Sequence, residues 1–156
     1  MVMNIIDFSD FKSEKFEKIF REYYLEEGIK LREDTIVFNE IQKSSDEGKT
    51  KCFCFVENEE IKAFVMYKIM ELANENGFIK HCVGHIEELY VVSEKRMQGI
   101  AKMLLNKVEE YMREKDVKKL FLTSREHMYD FYKKMGFYID ESYICANKLK
   151  CLFKSL

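Results

Sequence analysis

The sequence predicts an α/β fold in which a strand, two helices, three strands, a helix, a strand, a helix and a strand follow one another. Three observations carry that reading. The apolar period switches repeatedly along the chain between the two-residue repeat of strands and the 3.6-residue repeat of helices. Glycine, asparagine and charge clusters separate the runs, since the chain has no proline. Its 156 residues, 47% of them apolar, suit one domain over 1–156 with a single sizeable core. The central strand, helix and strand are expected to be parallel and right-handed.

The elements follow in order. Met3 to Phe8 reads as a first strand. Ser13 then caps a helix whose Phe16, Ile19, Phe20, Tyr23 and Tyr24 recur at i, i+3, i+4, i+7 and i+8, and Gly28 stops it. A second helix begins after Asp34, with Ile36, Val37, Phe38 and Ile41 as its apolar stripe, and gives way to a polar loop over Ser44–Gly48. Cys52 to Val56 and Ile61 to Leu72 are rich in branched and aromatic residues, so they read as strands joined by a hairpin turn at Glu57-Asn58-Glu59-Glu60. Asn74–Gly77 is the next turn.

Phe78 to Val92 reads as a long fourth strand, with Gly84 a candidate interruption. A helix from Gly99 to Glu114 follows, made amphipathic by Ile100, Met103, Leu104, Val108, Tyr111 and Met112. Leu120 to Thr123 is a short buried strand, and Thr123-Ser124-Arg125-Glu126 matches a capping box opening a last helix that Gly136 closes. From Phe137 the chain returns to strand, with Leu149, Cys151 and Phe153 alternating against Lys148, Lys150 and Lys154.

Charge and cysteine usage narrow the function classes. Lys+Arg 26 against Asp+Glu 28 gives a net charge of -2 with both signs interspersed, unlike the basic stripe of a general nucleic-acid or membrane-surface binder. No apolar run approaches a membrane span, and Asp7 interrupts the apolar start with no basic region before it, so a cytoplasmic protein is expected. Cys52, Cys54, Cys82, Cys145 and Cys151 are an odd number without a C-x-x-C pair, which argues for reduced thiols. His81, Cys82 and His85 lack the further ligands a metal site needs, so no metal is expected.

The richest stretch runs from Ile86 to Ala101. A strand passes through a short polar loop into R-x-x-G-x-A at Arg96, Gly99 and Ala101, and there the helical period begins. Small residues let the backbone approach a ligand closely. The first N–H groups and positive dipole end of the new helix favour a pyrophosphate. Alone, this is also what an ordinary strand-to-helix turn with a glycine looks like.

A second segment, Asp130-Phe131-Tyr132-Lys133-Lys134-Met135-Gly136-Phe137, changes that balance. With the R-x-x-G-x-A segment and the element order, it resembles the GNAT superfamily of acyl-CoA-dependent N-acetyltransferases over nearly the whole chain. The resemblance implies an α/β fold with a mixed, largely antiparallel central sheet, a splayed parallel strand pair and flanking helices. It implies acetyl-CoA as cosubstrate, with the pantetheine arm on the backbone of Leu89, Tyr90 and Val91. The pyrophosphate would then lie on Arg96, Met97, Gln98, Gly99, Ile100, Ala101 and Lys102. It also implies that Tyr132 protonates the departing thiolate. Many members carry glycine where Met97 stands and proline where the chain has Val92-Ser93. Ala101 replaces a commoner glycine, and Ser124 and Arg125 stand near a position often held by asparagine.

Other readings stay open at this level. Tyr132 also belongs to an apolar stripe with Met128, Phe131 and Met135. The base that frees the amine is sought among His85, Glu87 and Glu88, with Glu88 and then His85 preferred, although each also reads as a solvated strand residue or a salt-bridge partner; alternation puts His85 and Glu87 on one face of the strand and Glu88 on the other. His127 reads as a helix-start residue that can touch ligand. Lys95, Lys102, Lys133 and Lys134 add positive charge for coenzyme phosphates, while Glu26, Glu27, Glu33, Asp34 and Glu40 can attract a cationic amine. The function expected is acetyl transfer to a primary amine of a small molecule or peptide by direct attack in a ternary complex. The alternative is a non-catalytic acyl-CoA-binding sensor or assembly module. No membrane partner is expected, the acidic balance disfavours nucleic acid, and a homodimer is compatible with the reading.

Overall fold

A computed structural model describes residues 4–31, 35–73, 80–144 and 149–156. Met3, Glu33, Asp34, the turn at 74–77, the first two residues of the expected fourth strand, Cys145 and Lys148 lie outside the described residues. The strands are β1 (Asn4–Asp7), β2 (Lys51–Glu57), β3 (Glu60–Ala73), β4 (Lys80–Val91), β5 (Lys119–Ser124), β6 (Tyr138–Ile144) and β7 (Lys150–Ser155). The helices are α1 (Glu14–Glu26), α2 (Ile36–Asp46), α3 (Ile100–Glu114) and α4 (Tyr129–Lys134). The sheet takes the order β1-β2-β3-β4-β5-β7-β6, with β4 and β5 parallel and the pairs β1/β2, β2/β3, β5/β7 and β6/β7 antiparallel. The mixed, largely antiparallel sheet is therefore as expected. The parallel register covers Gly84↔Leu120 and His85↔Phe121. No described helix is long and apolar enough to cross a membrane.

The chain groups into two compact units, one of Met1–Tyr67 with Glu88–Lys107 and the other of Lys68–Glu87 with Val108–Leu156. In the first, the Ser13 hydroxyl accepts from the Phe16 N–H and caps α1. The helix ends where Gly28 takes φ 78°, its N–H reaching Leu25 O and that of Ile29 reaching Tyr24 O. This Schellman turn satisfies carbonyls the helix end would otherwise strand. The inward stripe of α1 builds the core: Phe16 packs on Phe20, Phe38 and Phe64 with ring centroids 5.4, 6.3 and 5.5 Å apart. All four rings are buried, each worth roughly 1.5–3 kcal/mol of transfer energy. Cys52 and Cys54 join the same core with sulfurs 3.7 Å apart.

The hairpin between β2 and β3 forms as expected. Asn58 and Glu59 take φ 52° and 63°, the two left-handed central residues of a type I′ turn, whose twist matches that of the flanking strands. Two expectations in this unit need correction. Ser44, Ser45 and Asp46 form the last turn of α2 rather than a loop, and Gly48 at φ 77° closes it. Ile36, placed on the buried stripe, is exposed; Phe38 is the buried residue of that helix.

In the second unit β4 is continuous through Gly84, so the expected interruption is absent. The glycine serves close packing instead. A Cβ there would stand 2.7 Å from the Met112 sulfur and 2.8 Å from Leu120 Cδ2. The capping box is also overturned. Thr123 and Ser124 are β5 residues paired with Cys151 and Lys150, which holds the threonine in the ladder rather than at a helix start. A single 3₁₀ turn over Glu126–Met128 then leads into α4. The C-terminal segment forms two antiparallel strands instead of one, and Cys151, Leu152 and Phe153 are buried in succession, so β7 does not alternate simply. Buried Glu109 of α3 is neutralised by Lys154 Nζ at 2.8 Å.

Candidate active site

The cradle belongs to the first unit. After β4, Ser93–Lys95 make one 3₁₀ turn, with Lys95 N–H on Val92 O at 2.9 Å. Met97 takes φ 63° with its side chain fully exposed, and Gly99 takes φ 80°. These two left-handed residues turn the chain into α3, where buried Ile100 and Leu104 anchor the helix. Met103 N–H donates to Gly99 O at 3.0 Å. The N–H groups of Ile100, Ala101 and Lys102 therefore precede the first intrahelical bond, and a Cβ on Gly99 would meet no atom of the described residues within 4 Å. Unpaired N–H groups at a helix N-terminus are a place where an anion can bind.

Arg96 of the same segment is engaged with protein. Its Nε donates to Val91 O at 2.9 Å, its Nη2 donates to Glu26 Oε2 at 2.8 Å, and its Nη1 lies 2.6 Å from Glu26 Oε1. Tyr90 Oη donates to the same Glu26 Oε2 at 2.7 Å, and the guanidinium lies over the Tyr90 ring at 5.5 Å. The Arg96 and Tyr90 donors hold the Glu26 carboxyl below its usual pKa. Lys95 pairs with Glu57 at 2.5 Å.

Of the candidate bases, Glu88 receives phenols from α1. Tyr23 Oη donates to Oε2, and Tyr24 Oη donates to Oε1 at 3.3 Å. Burial and the charge of Glu88 push both phenols up, Tyr24 to about 12. His85, in the second unit, stacks on Phe121 with ring centroids 4.6 Å apart, and its buried Nδ1 has no hydrogen-bond partner among the described residues. Burial, followed by the Lys68 charge, lowers its pKa to about 4, so the imidazole is neutral at pH 7. Glu87 lies 3.8 Å from Lys68 Nζ.

Tyr132 lies in α4 of the second unit and is buried. Phe137 N–H donates to Tyr132 O at 3.0 Å and the two rings meet edge to face at 5.7 Å, the hydrophobic contact of a Schellman turn closed by Gly136 at φ 97°. The packing role of this tyrosine is thus real whatever its hydroxyl does. His127 is exposed in the preceding 3₁₀ turn. Among the described residues no group of three His, Cys, Asp or Glu is placed to hold a metal ion.

The sequence model of the Acetyltransferase (GNAT) family matches residues 13–137, which is most of the chain. This chain belongs to the GNAT family. No curated protein matches its sequence significantly. Solved GNAT-type structures share its fold. A predicted acetyltransferase from Clostridium acetobutylicum with acetyl-CoA is 21% identical at TM-score 0.75, over 94% of this chain and 96% of that one. The PaiA N-acetyltransferase from Thermoplasma acidophilum in complex with coenzyme A is 20% identical at TM-score 0.66, over 100% of both. NAA60 from Arabidopsis thaliana in complex with a bisubstrate analogue is 21% identical at TM-score 0.67, over 98% and 97%.

In this GNAT chain, three residues beside the candidate site escape sequence reasoning. Tyr23 and Tyr24 fall on the apolar stripe of α1 and read as core, yet each carries a hydroxyl that a half-buried position must satisfy. Glu26 reads as one acid among several on a polar surface. The signal available was the phenol itself: a tyrosine rather than a phenylalanine on a buried stripe requires a polar partner.

Proposed function

We propose that the chain transfers an acetyl group from acetyl-CoA to a primary amine of a small molecule or peptide, by direct attack in a ternary complex. The observation that carries the proposal is the strand-to-helix cradle, with left-handed Gly99 and the unpaired N–H groups that open α3. Coenzyme A or acetyl-CoA in two neighbours supports the choice of ligand, and the bisubstrate analogue in a third supports a ternary complex.

The thioester supplies an activated acetyl carbonyl; the chain supplies binding and proton traffic. Main-chain donors from Met97 to Lys102 hold the pyrophosphate, while the backbone of Leu89, Tyr90 and Val91 aligns the pantetheine arm and the Val91 N–H polarises the carbonyl. The amine nitrogen forms its bond to the carbonyl carbon as the carbon–sulfur bond breaks. An ammonium loses two protons, one before attack to expose its lone pair and one as the amide forms, while the sulfur gains one and the other passes to solvent. Glu88 takes the first, directly or through water, its carboxylate held in place by the Tyr23 and Tyr24 hydroxyls. His85 is the competing base, since it is neutral at pH 7 and can accept a proton. Tyr132 delivers a proton to sulfur. We assign the protein to the cytoplasm, in keeping with the free thiols of Cys52, Cys54, Cys82 and Cys151.

The test is a panel of amines incubated with acetyl-CoA and the protein, read by free thiol and by the mass of acetylated product. Thiol and product should appear together and only with a suitable amine. Saturable acetyl-CoA binding without turnover across the panel would leave a non-catalytic acyl-CoA-binding module.

A further inference from the structure

The arginine of R-x-x-G-x-A would ordinarily be taken for a phosphate ligand, yet all three of its guanidinium nitrogens engage protein. Nε holds the carbonyl of Val91 at the end of β4, and Nη1 and Nη2 fork onto the two oxygens of Glu26 at the end of α1. Tyr90, also of β4, donates to the same carboxylate and lies under the guanidinium. One carboxylate therefore links the last residue of α1, the end of β4 and the loop that precedes Gly99. A bidentate arginine–carboxylate pair fixes orientation as well as distance. The loop beyond it needs such a bracket, because Met97 contributes no buried side chain and both Met97 and Gly99 hold left-handed backbone.

We infer that Glu26 is a positioning residue for coenzyme binding, acting through Arg96 and Tyr90 to set the loop before α3 so that its main-chain donors are aligned when the pyrophosphate arrives. The inference rests on the acetyl-CoA reading above. It makes Arg96 a bracket of the cradle, and it gives a loss of affinity where simple electrostatics gives a gain. Glu26 is a negative charge near an anion site, so its removal alone should tighten binding; loss of the bracket should weaken it.

The experiment measures acetyl-CoA affinity by calorimetry, and steady-state kinetics with an active amine, for the full chain and its Glu26→Gln variant. Glu26 lies at a surface-exposed helix end, so folding should survive the change, and circular dichroism checks this. The expected result is a Kd and a KM for acetyl-CoA raised about two- to fivefold, the upper part of the range for a well-oriented but solvent-exposed pair, with kcat at saturation within twofold of the parent. A merely structural loss would lower active protein, and hence apparent kcat, without shifting KM. Tyr90→Phe removes one of the donors to the carboxylate while keeping the ring, and should raise Kd by a smaller factor in the same direction. Equal or tighter acetyl-CoA binding by Glu26→Gln overturns the inference and leaves Arg96 free to act as a phosphate ligand. Absence of acetyl-CoA binding by the parent protein overturns the coenzyme reading itself, and is distinguishable because it appears before any substitution is made.

Discussion

Substituting Gly99 separates the cost of its backbone conformation from the cost to its ligand. The residue sits at φ 80° with no atom of the described residues within 4 Å of where a Cβ would stand, so a Cβ fits but must adopt left-handed backbone. That costs about 1–2 kcal/mol for a non-glycine residue, and should lower Tm by about 2–8 °C in a chain of this size. Gly99→Ala and Gly99→Glu share that penalty. Only glutamate adds a carboxylate in front of the α3 N–H groups, where repulsion from one phosphate charge at about 4 Å is on the order of 1 kcal/mol in water and 4 kcal/mol in a partly desolvated site. Acetyl-CoA affinity should fall by about tenfold to a thousandfold. At a concentration 100 times the parent Kd, the ligand stabilises the parent by about 2.7 kcal/mol; a hundredfold loss of affinity reduces that to about 0.4 kcal/mol. Thermal shift should thus show Gly99→Ala retaining most of the acetyl-CoA response and Gly99→Glu losing nearly all of it. A folded Gly99→Glu variant with the parent's full response would refute the cradle.

Further outcomes test the proton chemistry. Tyr132→Phe should preserve stability, because the ring contact with Phe137 remains, and should lower kcat by about 10²–10⁴, toward the low end because a thiolate leaves readily, with acetyl-CoA affinity nearly unchanged; unaltered kcat in a chemistry-limited assay would reduce the residue to packing. Glu88→Gln should depress turnover most at low pH, and a normal pH–rate profile there combined with a lost acidic limb in His85→Gln would move the base to His85. His85 also makes the fold acid-sensitive: its folded pKa of about 4 lies below the ordinary 6.5, so the unfolded chain binds the extra proton and stability is lost as pH falls from about 6.5 through 4, by about 2–3 kcal/mol. Unfolding midpoints followed from pH 7 to 4 should show His85→Phe losing less stability than the parent, and parallel curves would show that this imidazole does not control the transition.

What the sequence revealed was local. Ser13, Gly28 and the spacing of Phe16, Ile19 and Phe20 specify α1 through contacts within a few residues. Asn58-Glu59 could be read as a turn, and Arg96, Gly99 and Ala101 lie within one loop and the helix it opens. Gly84 was misread because its reason is Met112, on a helix that approaches from far along the chain. Thr123 was misread because a local capping pattern competed with a strand pairing that only β7 could supply. The Glu88 environment was illegible for the same cause: Tyr23 stands 65 residues away, and no periodicity links a phenol on one stripe to a carboxylate on another.

The disposition of the cysteines bears on how turnover is counted. The proposed reaction liberates one thiol per cycle, so a chromogenic disulfide reagent is the natural readout. Cys82 is exposed whereas Cys52, Cys54 and Cys151 are buried, and burial, followed by the neighbouring Cys54, raises the Cys52 thiol. Among these four, Cys82 should consume reagent at mixing and the rest only as the chain opens. A rapid burst of one equivalent from Cys82 would therefore belong to the protein and not to a first catalytic cycle. With acetyl-CoA also omitted, the slow reaction of Cys52, Cys54 and Cys151 would report opening of the β2 and β7 cores, giving the same reagent a second use as a clock for unfolding.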